Sequence, residues 1–203
     1  ETALGQLYVE RHFSGESRKK MEEMTENLRV VYRESLEKLP WMSPETRKEA
    51  VAKFDRFRVK IGAPKKPRDY SKIEIKRDDF YGNISRVAAF EWDRGMARIG
   101  LPVDLEEWEM TAPTVNAYFK PTANEIVFPA GILQPPFFDP TMDDAVNYGA
   151  TGATIGHEMT HGYDSEGRKY DAEGNLRDWW TKKDAEEFEK RSELLVKHFN
   201  RLE

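Results

Sequence analysis

The chain has 203 residues, 38% hydrophobic and 34% charged, enough for one sizeable core or two small ones. Thirty-two Lys plus Arg against 37 Asp plus Glu give a net charge of -5, which disfavours a nucleic-acid partner. Cysteine is absent, so disulfides, thiolate metal ligands and a cysteine nucleophile are excluded, and the four histidines are His12, His157, His161 and His198.

Met21, Met24, Leu28, Val31, Tyr32, Leu36 and Leu39 recur at helical spacing and predict a helix over 18–39. Ser43 followed by Pro44 opens a second helix, with Ala50, Val51, Phe54, Phe57 and Ile61 on one face. Residues 62–67 carry glycine and proline and read as a surface loop. A third helix is predicted from about 78 to 99, with Phe80, Ile84, Val87, Ala88 and Met96 as core contacts. These helices read as packing elements.

Residues 115–119 and 125–128 favour strand, and the turn residues Lys120 to Asn124 between them predict a hairpin. Prolines keep the apolar stretch 129–138 out of a helix, leaving a buried connector or the wall of a peptide-binding cleft. Residues 143–163 predict a helix that tolerates Gly149, Gly152 and Gly156, each costing about 0.5–1 kcal/mol relative to Ala. Such a helix needs close neighbours, so it is expected at the centre of the fold. Gly162, Gly167 and Gly174 punctuate a turn-rich stretch, and Asp171 to Asn175 lacks the EF-hand ligand pattern. Thr181 and Asp184 suggest a capping box for a last helix whose apolar face is Ala185, Phe188, Leu195, Phe199 and Leu202. The fold class is mainly α with a small β-hairpin or sheet, an α+β arrangement. No apolar run approaches the roughly 20 residues of a membrane span, so no membrane contact is expected within this chain.

His157-Glu158-Met159-Thr160-His161 is an H-E-x-x-H sequence. Four residues advance a helix by about 400°, so both imidazoles leave one face a turn apart, as two corners of a tetrahedral zinc site require. Glu158, beside the first ligand, is placed as a general base toward water acidified by the metal. At this composition the pattern arises by chance on the order of 0.01 times. His12 and His198 have no such company and read as surface or packing residues. Asp164 follows His161 by three residues. It either accepts the free ring N–H of a zinc-bound histidine or ends the helix in a turn.

Beyond the motif, several stretches resemble the neprilysin and endothelin-converting-enzyme family of zinc metallopeptidases, including its bacterial oligoendopeptidase-type members. They are Val115 to Phe119, Ile126 to Phe138, Asn147-Tyr148-Gly149, Ile155 to Asp164 and Asp178 to Thr181. Leu7-Tyr8-Val9 and Phe13 to Ser17 join them. The resemblance implies a gluzincin-like (thermolysin-like) catalytic domain, with residues 1–109 as a helical region packed on a zincin core at 110–203. It makes His157 and His161 zinc ligands, Glu158 the general base, and Asn116 and Ala117 the residues that hold a peptide backbone on a strand edge. It implies oligopeptide substrates, one zinc per complete site and an extracytoplasmic location. The lack of cysteine points to a bacterial-type member.

The family takes its third zinc ligand from a downstream Glu-x-x-x-Asp. No such sequence follows His161, and Glu74 and Asp78 have the spacing but lie upstream. The expectation is therefore an incomplete catalytic domain whose third ligand comes from a downstream segment or a second chain. The competing reading is a truncated, inactive module that binds peptide or zinc without turnover. An active isolated chain would need Asp164, Glu166 or Asp171 as its third ligand.

Overall fold

Residues 2–202 are described in the computed structural model. The chain runs α1 (Thr2–His12), α2 (Gly15–Lys38), α3 (Pro44–Asp55), β1 (Arg58–Gly62) and α4 (Phe80–Met96). It continues with β2 (Tyr118–Lys120), β3 (Glu125–Pro129), α5 (Asp144–Asn147), α6 (Ala153–Thr160) and α7 (Lys182–Phe199). The four longest helices begin where a short polar side chain answers the free N–H groups of the first turn. Ser14 accepts from Ser17 N, Ser43 from Thr46 N, Asp79 from Gly82 N and Thr181 from Asp184 N.

The sheet has the order β1-β3-β2. β3 lies at its centre, parallel to β1 from Arg58 opposite Glu125 to Gly62 opposite Pro129, and antiparallel to β2. All five β3 residues are buried, as a strand covered on both faces requires. Glu125 meets this demand by pairing with Lys60 of β1 at 2.9 Å. The β2–β3 hairpin closes through a 3₁₀ turn at Pro121–Ala123 and Asn124, whose φ of 48° suits asparagine. One hydrophobic cluster joins α2 (Met21, Met24), α3 (Phe54), β1 (Ile61), β3 (Ile126, Phe128) and α6 (Ile155, Met159). Trp179 and Trp180 close it from the far end of the chain.

Several elements differ from the sequence expectation. The second helix stops at Asp55, and Phe57 and Ile61 instead enter and occupy β1, because β3 supplies a pairing partner that local periodicity does not reveal. α4 forms where the apolar spacing predicted it, yet none of its residues is buried, so Phe80, Ile84, Val87, Ala88 and Met96 are not core contacts. β2 begins at Tyr118, leaving Asn116 and Ala117 just ahead of the strand. The central helix is α5 and α6 joined by a wider π-helical turn at Tyr148–Gly152. In α7, Ala185 and Phe188 pack against the core, whereas Leu195, Phe199 and Leu202 are exposed.

In the stretch 129–138, Ala130, Leu133 and Phe138 are buried and Pro135 to Phe137 are exposed. The Asn147 side chain binds the stretch that follows, donating to Asp139 O at 2.9 Å and accepting from Asp139 N at 3.1 Å. Thr151 donates to Phe137 O. These bonds favour the connector reading for its buried part.

Candidate active site

α6 buries Ile155 and Met159 in the core, one turn apart, and turns His157 and His161 outward by the same spacing. His157 is exposed and the His161 side chain is 43% exposed. Their Nε2 atoms face each other at 3.0 Å, with ring planes at 85°. His161 Nδ1 lies 2.8 Å from Asp164 Oδ2. A carboxylate only accepts, so Nδ1 carries the proton and Nε2 presents its lone pair outward. Two ligands bound at 2.0–2.1 Å to a tetrahedral centre stand about 3.4 Å apart, so this pair fits two corners of a zinc site after a small side-chain adjustment.

Glu158, between them in sequence, is 6% exposed. Burial raises its carboxyl pKa above the ordinary range, and the nearby histidines oppose that shift.

Beyond His161 the chain folds back under the helix end. Asp164 Oδ1 accepts from Glu166 N at 2.9 Å and Gly167 N at 2.8 Å, so the same carboxylate holds the histidine and closes the turn. Asp164 thus touches the His161 ring and closes the turn with one side chain. Only glycine fits at 167, because a Cβ there would collide with the His161 carbonyl. Beneath the turn lies Lys53 of α3, 1% exposed, donating to the carbonyls of Gly162, Gly167 and Tyr170. Burial lowers its pKa to about 8, against the pull of Asp164 and Asp171.

Asn116 is exposed, and its Oδ1 accepts from Ala117 N at 2.9 Å. Ala117 is buried. The two residues lead into β2, whose outer edge is unpaired in the sheet and which packs beside α6. Glu166 pairs with Lys169 at 2.7 Å. Asp171 accepts from Glu173 N and Asn175 N, as the turn reading requires, and pairs with Arg177 at 3.2 Å. His12 packs on Tyr8 and His198 beside Phe199. Among the described residues no group of three or more His, Asp or Glu side chains could hold a metal ion.

Sequence reasoning missed Lys53. Nothing local marks it: only the fold shows that Lys53 shares a helical face with Thr46 and Ala50, both wholly buried. A lysine on such a face needs a partner.

Residues 116–203 and residues 1–64 match the two family models described as peptidase family M13. An endothelin-converting enzyme homolog of Locusta migratoria is 40% identical over 98% of this chain, and human neprilysin 39% identical over 97%. The chain spans 28% and 27% of those relatives' own lengths. Among solved structures, the zinc metalloprotease Zmp1 of Mycobacterium tuberculosis, in complex with an inhibitor, superposes with a TM-score of 0.87 at 53% identity. That match covers 96% of this chain and 29% of Zmp1. PepO of Lactobacillus rhamnosis gives a TM-score of 0.87 at 36% identity, covering 93% of this chain and 30% of its own. The motif, the helix that carries it and the sheet beside it therefore sit in a shared framework: the chain belongs to peptidase family M13, the family of neprilysin and the endothelin-converting enzymes.

Proposed function

We propose that this chain carries the histidine half of a zinc endopeptidase site that hydrolyses peptide bonds in oligopeptides. The observation that supports this best is the convergence of His157 Nε2 and His161 Nε2 at 3.0 Å, with the back of the His161 ring held by Asp164. His157 and His161 would hold the metal. Zinc, when bound, supplies Lewis acidity that polarises a scissile carbonyl and acidifies water.

Glu158 takes a proton from the attacking water as the new C–O bond forms. It returns that proton to the amide nitrogen as the C–N bond breaks, so the carboxylate ends as it began. Its burial suits this double duty, because a raised pKa lets the carboxyl hold the proton between the two steps. Asn116 and Ala117 would align the substrate backbone along the free edge of β2, as strand addition does. Residues 110–203 would form the catalytic core and 1–109 its helical support. The third metal ligand would come from a downstream segment or a second chain. An extracytoplasmic location belongs to the same proposal and rests on membership of the neprilysin family. No helix of the described residues is long and apolar enough to cross a membrane.

Glu158→Gln in the complete protein is expected to lower kcat by about 10²–10⁴-fold with bound zinc unchanged. Peptide cleavage at the wild-type rate in that variant would overturn the mechanism. The absence of a three-ligand cluster among the described residues favours one other reading, a peptide- or zinc-binding module without turnover. Chelator-sensitive cleavage of a peptide library by the 203-residue chain alone would exclude that module. It would also direct the search for an in-chain ligand to Asp164, Glu166 and Asp171.

A further inference from the structure

A lysine is almost never fully buried unless a partner compensates its charge. Lys53 sits in the second half of α3 at 1% exposure, and among the described residues no carboxylate lies within ion-pair distance of it. Its partners are three backbone carbonyls, those of Gly162 at 2.7 Å, Gly167 at 2.8 Å and Tyr170 at 2.7 Å. An ammonium has three N–H donors, and each is used. The rings of Phe119, Tyr163 and Trp179 stand 5.5–5.7 Å from the same nitrogen.

All three carbonyls belong to the turn that follows the second histidine. That turn also carries Asp164, which holds His161 through one oxygen and the N–H groups of Glu166 and Gly167 through the other. The charge of Lys53 is therefore directed at the shape of this loop. Without it, the carbonyls of Gly162 and Tyr170 would lose the ammonium and that of Gly167 would keep only Tyr170 N at 3.2 Å, and the cheapest response is for the loop to turn them toward water. Asp164 would move with it.

We propose that Lys53 is a positioning residue for the metal site. Through the carbonyls of Gly162, Gly167 and Tyr170, it fixes the loop that aims Asp164 at His161. This role rests on the reading of His157 and His161 as metal ligands, and it adds to that reading a residue more than 100 positions away in sequence.

The test measures zinc affinity by chelator competition in the complete protein, for the wild type, Lys53→Met, Asp164→Asn and the double variant. Lys53→Met is expected to weaken zinc binding by roughly 10–100-fold, as loss of an outer partner of a metal-bound histidine does. The double variant is expected to bind no more weakly than Asp164→Asn alone, because both changes act through one contact. Lys53→Gln keeps two N–H donors and is expected to recover part of the loss. Wild-type zinc affinity in Lys53→Met, or full additivity in the double variant, would overturn the proposal even if the melting temperature fell. Failure of both Lys53 variants to fold would overturn it too, making Lys53 a determinant of the fold. His157→Ala separates this outcome from the reading beneath it. Unchanged zinc affinity in His157→Ala sinks the metal site itself, whereas zinc lost there but kept in Lys53→Met sinks only the role of Lys53.

Discussion

Asp184 shows how much one side chain can carry. Its carboxylate accepts from Ser43 N at 2.8 Å and from the hydroxyls of Ser43, Thr46 and Thr181 at 2.5–2.6 Å. Two of these hydroxyls cap helices, so Asp184 ties the start of α3 to the start of α7. Desolvation pushes its pKa up, but the bonds from Ser43, Thr181 and Thr46 outweigh it and hold the value at about 2. An unfolded aspartate titrates near 3.9, so between about pH 4 and pH 2 the unfolded chain binds more protons. The resulting stabilisation, about 2 kcal/mol, is complete above pH 4 and is lost as the pH falls through 2. Asp184→Ala is expected to cost about 3 kcal/mol near neutrality, the sum of two weakened caps at 1–2 kcal/mol each. Urea unfolding of both proteins checks this: the gap should be widest near pH 6 and should shrink toward pH 3. A gap independent of pH would assign the loss to packing.

Among the elements, β1 and β3 are joined by the buried pair Lys60 and Glu125, at 8% and 1% side-chain exposure. Lys60→Met alone leaves the buried Glu125 carboxylate only the longer contact with Arg58, at 3.7 Å, and is expected to cost about 3 kcal/mol. Lys60→Met with Glu125→Leu removes both charges and is expected to cost much less, which urea midpoints of the two variants would show. The sequence foretold some elements better than others, and the reason is the range of the forces that make them. α2 and α7 were legible because caps and apolar spacing lie within a few residues of each other. The zinc-motif helix was legible for the same reason, although the π-turn inside it left no local mark. β1 was not legible, because Val59 and Ile61 become a strand only by pairing with Ile126 and Phe128. At the candidate site, spacing alone singles out His157, Glu158 and His161. Spacing does not reveal the clamp beneath them, because its parts, Lys53 and the loop 162–170, meet only after folding.

Among the described residues, α4, the segment after it and the end of α7 all leave large apolar side chains open. Phe80 is 79% exposed, Trp92 69%, Ile99 72% and Phe199 64%. An amphipathic pattern states which face of a helix wants cover and is silent on what provides it, which is why the core contacts assigned to α4 were misplaced. Exposure on this scale favours association. The isolated 203-residue chain is expected to scatter light increasingly with concentration. Phe80→Ser with Trp92→Ser should reduce that scattering and leave the melting temperature within about 4 °C, because two surface substitutions at about 0.5 kcal/mol each sum to about 1 kcal/mol. A large fall in melting temperature would mean that these side chains support the fold.

The parallel pairing of β1 with β3 has a consequence for how this chain can vary. Arg58 meets Glu125 only after residues 63–117 have left the sheet and returned to it. Closing such an excursion costs entropy that grows with the logarithm of its length, so doubling it adds only about 0.6 kcal/mol. Insertions at its exposed turns cost little, away from Glu107 and Ala112, which bond to Lys60 and Gly131, whereas a single extra residue between His157 and Tyr170 would break the helix phase or the clamp. The family models follow the same division, one ending at residue 64 and the other resuming at 116. Added length at those turns would leave the H-E-x-x-H helix and the loop after it in place.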